Sequence, residues 1–265
     1  MTFFLEGGGY KMSLVVLLFI IGFIGSFISG MVGIGGAIIN YPMILYIPVL
    51  LGFTGYTAHE VSGITAVQVF FATFAGAWAY RKSNDMDKTL VMYMGASILI
   101  GSFIGSFGAN VLAEHTVNVV YAALATIAAI MMFVPKRNNG DEVKYNKWLA
   151  SLLAFIVGGA SGIIGAGGSF LLVPIMLVIL KLPIRTTIAT SIAITFISSV
   201  GITTGKVITG QVVVIPALIV AIASIFAAPL GARVGKRINQ KALQYMLSIL
   251  IVGTAVKMWI DMISK

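Results

Sequence analysis

Ser161-Gly162-Ile163-Ile164-Gly165-Ala166-Gly167-Gly168-Ser169, closed by Pro174, has an earlier counterpart in the same chain. That copy reads Ser29-Gly30-Met31-Val32-Gly33-Ile34-Gly35-Gly36-Ala37 and is closed by Pro42. One serine, four glycines and the proline coincide at a constant offset of 132 residues (Ser29 to Ser161, Pro42 to Pro174). Each copy interrupts a long apolar run: Asp, Glu, Lys and Arg are absent from residues 12–58 and 148–180.

Outward from these two stretches the pattern continues. Residues 61–80, 89–113, 115–135, 186–205 and 207–232 are also free of charged side chains. A bilayer-spanning helix needs about 20 mostly apolar residues, and most of these runs are one or two such lengths. The chain has 265 residues, 59% hydrophobic and 9% charged, whereas a soluble domain carries roughly 25% charged residues. The strict alternation of a membrane β-barrel is absent. The fold class expected is an all-α polytopic membrane protein.

Composition also narrows the chemistry. With no cysteine, disulfides, thiolate metal sites and thiol catalysis are excluded. Two histidines, His59 and His115, do not make a multi-histidine metal or haem centre, so no metal and no cofactor is expected. The net charge of +9 fits cationic loops beside anionic lipid rather than a nucleic-acid partner. The apolar stretch from Leu14 has no small-x-small cleavage site after it and is read as a retained first helix.

Ten segments follow, at about 12–30, 36–51, 58–80, 89–112, 116–134, 148–164, 167–180, 185–204, 211–232 and 242–263. They divide into a tail (1–11), a first membrane repeat (12–135), a cytoplasmic linker (136–147) and a second membrane repeat (148–265). Outside the motif, Phe107-Gly108-Ala109 is matched with Leu230-Gly231-Ala232, and Tyr121 with Tyr245. Five segments per half is an odd number, so the second repeat starts on the opposite side from the first. That is the inverted-repeat arrangement of many secondary transporters. The loops after segments three, five, seven and nine hold 13 of the 17 basic residues, which places them in the cytoplasm and both termini outside. Lys206 is assigned to a loop on the outer side. Segments two and seven, at 14–16 residues, reach only about 21–24 Å and either span thinly or re-enter, giving 8–10 helices in all.

A backbone that leaves the helix inside a membrane strands N–H and C=O groups, and is tolerated only when buried in protein or lining a wet cavity. Gly33, Gly35, Gly36, Gly165, Gly167 and Gly168 permit positive φ and close approach of a ligand to the main chain. The helices restarting at Ala37 and Ser169 offer unpaired N–H groups and a positive dipole end, suited to an anion. Ser29, Ser161 and Ser169 add hydroxyls, so the trap needs no buried lysine. Small residues four apart also serve plain helix packing, and Gly22/Ser26/Gly30, Gly101/Gly105 and Gly158/Gly162 fit that role. The recurrence of the break at one offset favours a site. Ser62, Thr65, Gln68 and Thr73 line segment three, and segment eight carries Thr186, Thr187, Thr190, Ser191, Thr195, Ser198 and Ser199. Ser62, Gln68, Thr190 and Ser191 are taken as pocket walls, with Ser62-Gly63 placed like Thr190-Ser191; Asn40 is a weaker candidate. His59 and Glu60, at the start of segment three, are candidates for coupling or for a helix-start role.

The duplicated S-G-x-x-G-x-G-G-x…P pattern resembles that of the TauE/SafE family of sulfite and organosulfonate exporters, also called the toluene sulfonate uptake permease family. The resemblance runs from about Met12 to Ile263 and includes Thr190-Ser191 and Gly210-Gln211-Val212; Val61-Ser62-Gly63 departs from it. It implies a multi-pass protein of the cytoplasmic membrane that moves small sulfur-containing or carboxylate anions. The expected function is a secondary transporter or permease for such an anion, not an enzyme, with the two halves moving around a site between the breaks. An anion channel of the same architecture is the alternative. Small anions and the lipid bilayer are the expected partners, and a homodimer is left open.

Overall fold

The computed structural model describes residues 12–81, 85–133 and 145–263. The tail and most of the linker lie outside them. Among the described residues every regular element is helical. The first half of the chain holds α1 (Met12–Val32), α2 (Ala37–Leu50), α3 (Ala58–Tyr80), α4 (Lys88–Gly108, extended by a short turn, Ala109–Val111) and α5 (Glu114–Phe133). The second holds α6 (Lys147–Ile164), α7 (Ser169–Val178), α8 (Ile184–Ile208), α9 (Val214–Arg237) and α10 (Gln240–Ile263). Eight of the ten are long and apolar enough to cross a membrane; α2 and α7 are shorter apolar helices.

Glycine contacts set how the long helices pair. A methyl at Gly30 would strike the Ala228 carbonyl, and one at Gly231 the Phe27 carbonyl, so α1 and α9 lie backbone to backbone. A methyl at Gly105 would strike the Gly159 carbonyl, and one at Gly162 the Ser102 carbonyl, so α4 and α6 do the same. Such close approach maximises dispersion contact where lipid removes the hydrophobic drive for helix association. Both pairs run parallel. By contrast, α3 and α8 cross antiparallel: Gly63 lies against Gln211, Phe70 packs on Phe196 with centroids 5.6 Å apart, and Gly76 meets Ile192.

These contacts correct the internal match. Gly231 on Phe27 and Gly105 on Gly159 are the same contact in the two repeats, whereas nothing lies within 4 Å of a methyl added at Gly108. The partner of Gly231 is therefore Gly105, 126 residues earlier, not Gly108. At that offset Val117, Tyr121, Ala125 and Met132 of α5 fall on Leu243, Leu247, Ile251 and Met258 of α10, all buried. Tyr245, by contrast, is 70% exposed and is not the counterpart of Tyr121. The offset falls from 132 to 126 because 21 residues separate the starts of α2 and α3 but only 15 those of α7 and α8. In the same register Ser62 falls on Ile188, and Ser191 on Thr65, which replaces the pairing of Ser62-Gly63 with Thr190-Ser191.

Lys206 is the second correction. It sits in the last turn of α8 and is fully buried, because α8 continues past residue 204 and packs its end against α4 and the end of α6.

If Gly105 and Gly231 are equivalent packing points, Gly105→Ala and Gly231→Ala each lower stability by about 1–3 kcal/mol through overpacking. Gly108→Ala leaves it essentially unchanged. Thermal unfolding of the three variants in detergent measures the contrast.

Candidate functional site

Each break is built by three left-handed glycines. φ is 82°, 71° and 83° at Gly33, Gly35 and Gly36, and 72°, 69° and 78° at Gly165, Gly167 and Gly168. A side chain in that region costs roughly 1–2 kcal/mol. Gly36 and Gly168 serve as N-caps of α2 and α7, with no side-chain bond at either cap. Hydrogen bonding resumes only with Ile39 and Asn40 bonding to the Gly36 carbonyl, and Leu171 and Leu172 to that of Gly168. Among the described residues the N–H groups at 34–38 and 167–170 have no acceptor. All of these residues are buried. Nine unpaired donors in two short stretches stand against the usual satisfaction of over nine-tenths of buried backbone groups.

The breaks are held by side chains of the opposite repeat. Ser191 Oγ on α8 donates to the Gly33 carbonyl at 3.0 Å, and Ser62 Oγ on α3 donates to the Ile163 carbonyl at 3.1 Å. The backbone follows the same exchange, with Gly33 against Ile188 and Gly165 against Ser62. Pro42 lacks the N–H that would bond the Ile38 carbonyl, and Tyr121 Oη supplies the bond instead at 2.6 Å. The Tyr121 ring stacks on Tyr41 (4.6 Å) and Phe170 (6.4 Å), so α5 touches both restarted helices.

The two breaks meet around Thr195. A methyl at Gly35 would lie 2.5 Å from Ser169 Oγ and 3.2 Å from Thr195 Cγ2, and one at Gly167 would lie 2.7 Å from Thr195 Cγ2 and from Val69 Cγ1. Gly36 faces the Gln68 amide and the Ser29 Cβ, and Gly168 faces Ser161 Oγ. Gln68 Nε2 donates to Ser26 Oγ at 2.8 Å, which in turn pairs with Ser224 at 2.6 Å. Ser169 Oγ, Thr195 Oγ1 and Gln68 Oε1 are buried with no hydrogen-bond partner. So are both side-chain atoms of Asn40, which lies against Gly25.

The remaining candidates go elsewhere. Thr190 Oγ1 accepts from the Asp87 N–H at 3.0 Å and anchors the start of α4. Ser161 Oγ bonds back to the Gly158 carbonyl. Glu60 is engaged in a capping box, accepting from Thr57 N at 2.8 Å while its own N–H donates to Thr57 Oγ1. His59 Nε2 meets the Leu112 carbonyl at 3.0 Å, leaving Nδ1 without a partner. Sequence reading had Thr195 only as one hydroxyl among several, and its place at the junction becomes visible once the 126-residue register sets it opposite Val69. An apolar groove of about 330 Å³ between α5 and α10, lined by residues such as Ile130, Phe133, Val256 and Ile260, holds no comparable set of polar groups.

Eight spanning helices around two buried, non-helical breaks define a multi-pass membrane protein whose polar machinery is enclosed in the bundle. The sulfite exporter TauE/SafE family model matches residues 18–258. The chain belongs to that family and is a membrane transporter. It is 23% identical to the probable membrane transporter protein YunE of Bacillus subtilis, over 89% of this chain and 94% of that one. A probable membrane transporter protein of Methanocaldococcus jannaschii is 26% identical over 90% and 92%, and one from Xylella fastidiosa 27% over 68% and 69%. No solved structure matches the chain significantly.

The bonded and unbonded hydroxyls should respond differently to removal. Ser191→Ala should cost about 1 kcal/mol by orphaning the Gly33 carbonyl. Ser169→Ala and the near-isosteric Thr195→Val remove groups that are buried without partners, and should leave stability unchanged or raise it by up to about 1 kcal/mol. Thermal unfolding without added anion measures the difference.

Proposed function

We propose that this transporter is a secondary carrier of a small oxyanion, sulfite or a related sulfur or carboxylate anion, bound between the two breaks. The observation that carries the reading is the set of nine unpaired N–H groups at 34–38 and 167–170. They meet two unpaired hydroxyls, of Ser169 and Thr195, beside the Gln68 amide, whose nitrogen is bonded to Ser26. Hydrogen-bond donors and helix N-termini around one buried spot suit an anion. Gly33, Gly35, Gly36 and Ala37 form one wall, and Gly165, Gly167, Gly168 and Ser169 the other. Ser29, Ser161, Ser62 and Ser191 support them. The family's name supplies sulfite as the first substrate to test.

We further infer inverted repeats related by an axis in the membrane plane. The antiparallel crossing of α3 and α8, and the exchange of α1–α9 for α6–α4, support it. The bodies that move are then not the two halves of the chain. Close packing groups α1 and α3 with α9, and α6 and α8 with α4. Alternating access would shift these two groups about the Phe70–Phe196 contact. Full burial of the breaks supports a carrier in a closed state over an open channel. The basic loops carrying Arg185 and Lys236 would face the cytoplasm, with the start of α1 and the end of α10 outside.

Purified protein should be stabilised by its anion, by about 2.7 kcal/mol at a hundred times Kd, in a thermal-shift screen of sulfite, sulfate, thiosulfate, sulfoacetate, taurine and lactate. In proteoliposomes Ser169→Ala should reduce flux of the best anion about tenfold, and Gly35→Val or Gly167→Val should abolish it. Normal flux in all three would refute the site. Sidedness is directly measurable because the chain has no cysteine. A cysteine at Arg237 should react with impermeant maleimide only after the cytoplasmic face is opened, and one at Gly210 should react in intact cells.

A further inference from the structure

Among the described residues Lys206 is the one charged side chain that is fully buried. Its Nζ donates to the Ile163 carbonyl at 3.0 Å and to Gln211 Oε1 at 2.7 Å. Among the described residues it has no other hydrogen-bond partner, and no carboxylate is within salt-bridge reach. Burying an ammonium without a counter-charge costs several kcal/mol, which two neutral acceptors only partly offset. The neighbours are nevertheless ordered. Gln211 Nε2 donates to Thr209 Oγ1 at 2.9 Å, which holds the amide oxygen toward the ammonium. Ser62 Oγ shares the Ile163 carbonyl. Ile163 lies two residues before Gly165, so the cluster sits at the threshold of the second break.

The corresponding place in the other repeat differs. At the 126-residue offset Lys206 falls on Tyr80 and Gln211 on Asp85. There Lys236 Nζ lies over the Tyr80 ring at 4.6 Å, beside Asp85 and Arg185, and Lys236 and Arg185 are accessible from outside the bundle. At this position one end of the bundle therefore has accessible charges of both signs, and the other an enclosed cation.

We propose that Lys206, with Gln211 and Ser62, forms a second anion subsite between the ends of α6 and α8, which receives the substrate on its way to the breaks and favours doubly charged oxyanions. The ammonium rests on the Ile163 carbonyl while the subsite is empty. An arriving anion supplies the missing counter-charge, and the same carbonyl reclaims the ammonium when the anion moves on. This rests on the anion-transport reading above. It adds the source of charge selectivity, which neutral N–H groups alone do not provide.

The test compares wild type with Lys206→Gln, which keeps a donor for the Ile163 carbonyl but loses the charge, and with Lys206→Arg, which keeps both. Binding of thiosulfate and sulfate, as dianions, and of methanesulfonate, as a monoanion, is measured calorimetrically on the full chain. A charge-assisted bond corresponds to about a 10- to 100-fold change in affinity. Lys206→Gln should weaken dianions by that factor and methanesulfonate by clearly less, while Lys206→Arg stays within a few-fold of wild type. Equal losses for both anion classes, or unchanged dianion affinity in Lys206→Gln, would overturn the subsite while leaving the anion reading intact. Should wild type bind none of the three anions, the subsite falls, and the anion reading is decided by the remaining anions of the thermal-shift screen.

Discussion

A peptide N–H that leaves helical geometry inside a membrane has no water to turn to, and each one left unpaired costs several kcal/mol. Among the described residues this chain does so at nine positions in the two breaks, and the rest of the fold can be read as what makes that affordable. Six glycines at positive φ let the chain turn without a Cβ clash. The close pairs α1–α9 and α4–α6 bury a large backbone contact on either side of the breaks. Carbonyls exposed by the turns are taken up by Ser191, Ser62, Lys206 and, where Pro42 withdraws a donor, Tyr121. The carbonyls of Gly33, Gly36, Ile163 and Gly168 are thus satisfied, while those at 34, 35 and 164–167 have no donor among the described residues. The open N–H groups lie at the starts of α2 and α7, where the positive ends of the helix dipoles favour negative charge.

The ties at the breaks cross between repeats. Ser191 belongs to the second repeat and holds the first break; Ser62 belongs to the first and holds the second. Neither break keeps its shape without the other half, so a motion that separated the halves along the chain would undo both turns. A motion of α1, α3 and α9 against α4, α6 and α8 also strains these bonds, but it preserves the tightest backbone contacts. The exchange of helices therefore limits which rearrangements the transporter can use.

Much of this was legible in the residues. Charge-free runs located the long helices to within a few positions, and Lys147–Ile164 and Ala58–Tyr80 fall almost where hydropathy puts them. The breaks were legible because glycine clusters at one offset have few other causes. The register beyond them was not. Apolar helices repeat Gly-Ala pairs so often that Gly108 matches Gly231 as well as Gly105 does, and only the carbonyl each one meets decides between them. Lys206 was misplaced for a related reason. A lysine near a hydrophobic boundary reads as solvated, and nothing local reveals that Ile163, 43 positions earlier, waits beside it.

Once the register is right, the two repeats can be compared position by position within a single chain, and agreement and difference fall into separate places. Where the repeats agree, as at Gly33 and Gly165, Gly105 and Gly231, or Phe70 and Phe196, the residues shape or pack the backbone. Where they differ, polar atoms change: Val69 against Thr195, Ile194 against Gln68, Tyr80 against Lys206, Leu247 against Tyr121. Unpaired or charged groups concentrate in this second set. A strictly symmetric chain would place the same polar groups at both breaks. Divergence at these few positions gives the two breaks different chemistry, without disturbing the glycine geometry on which both depend.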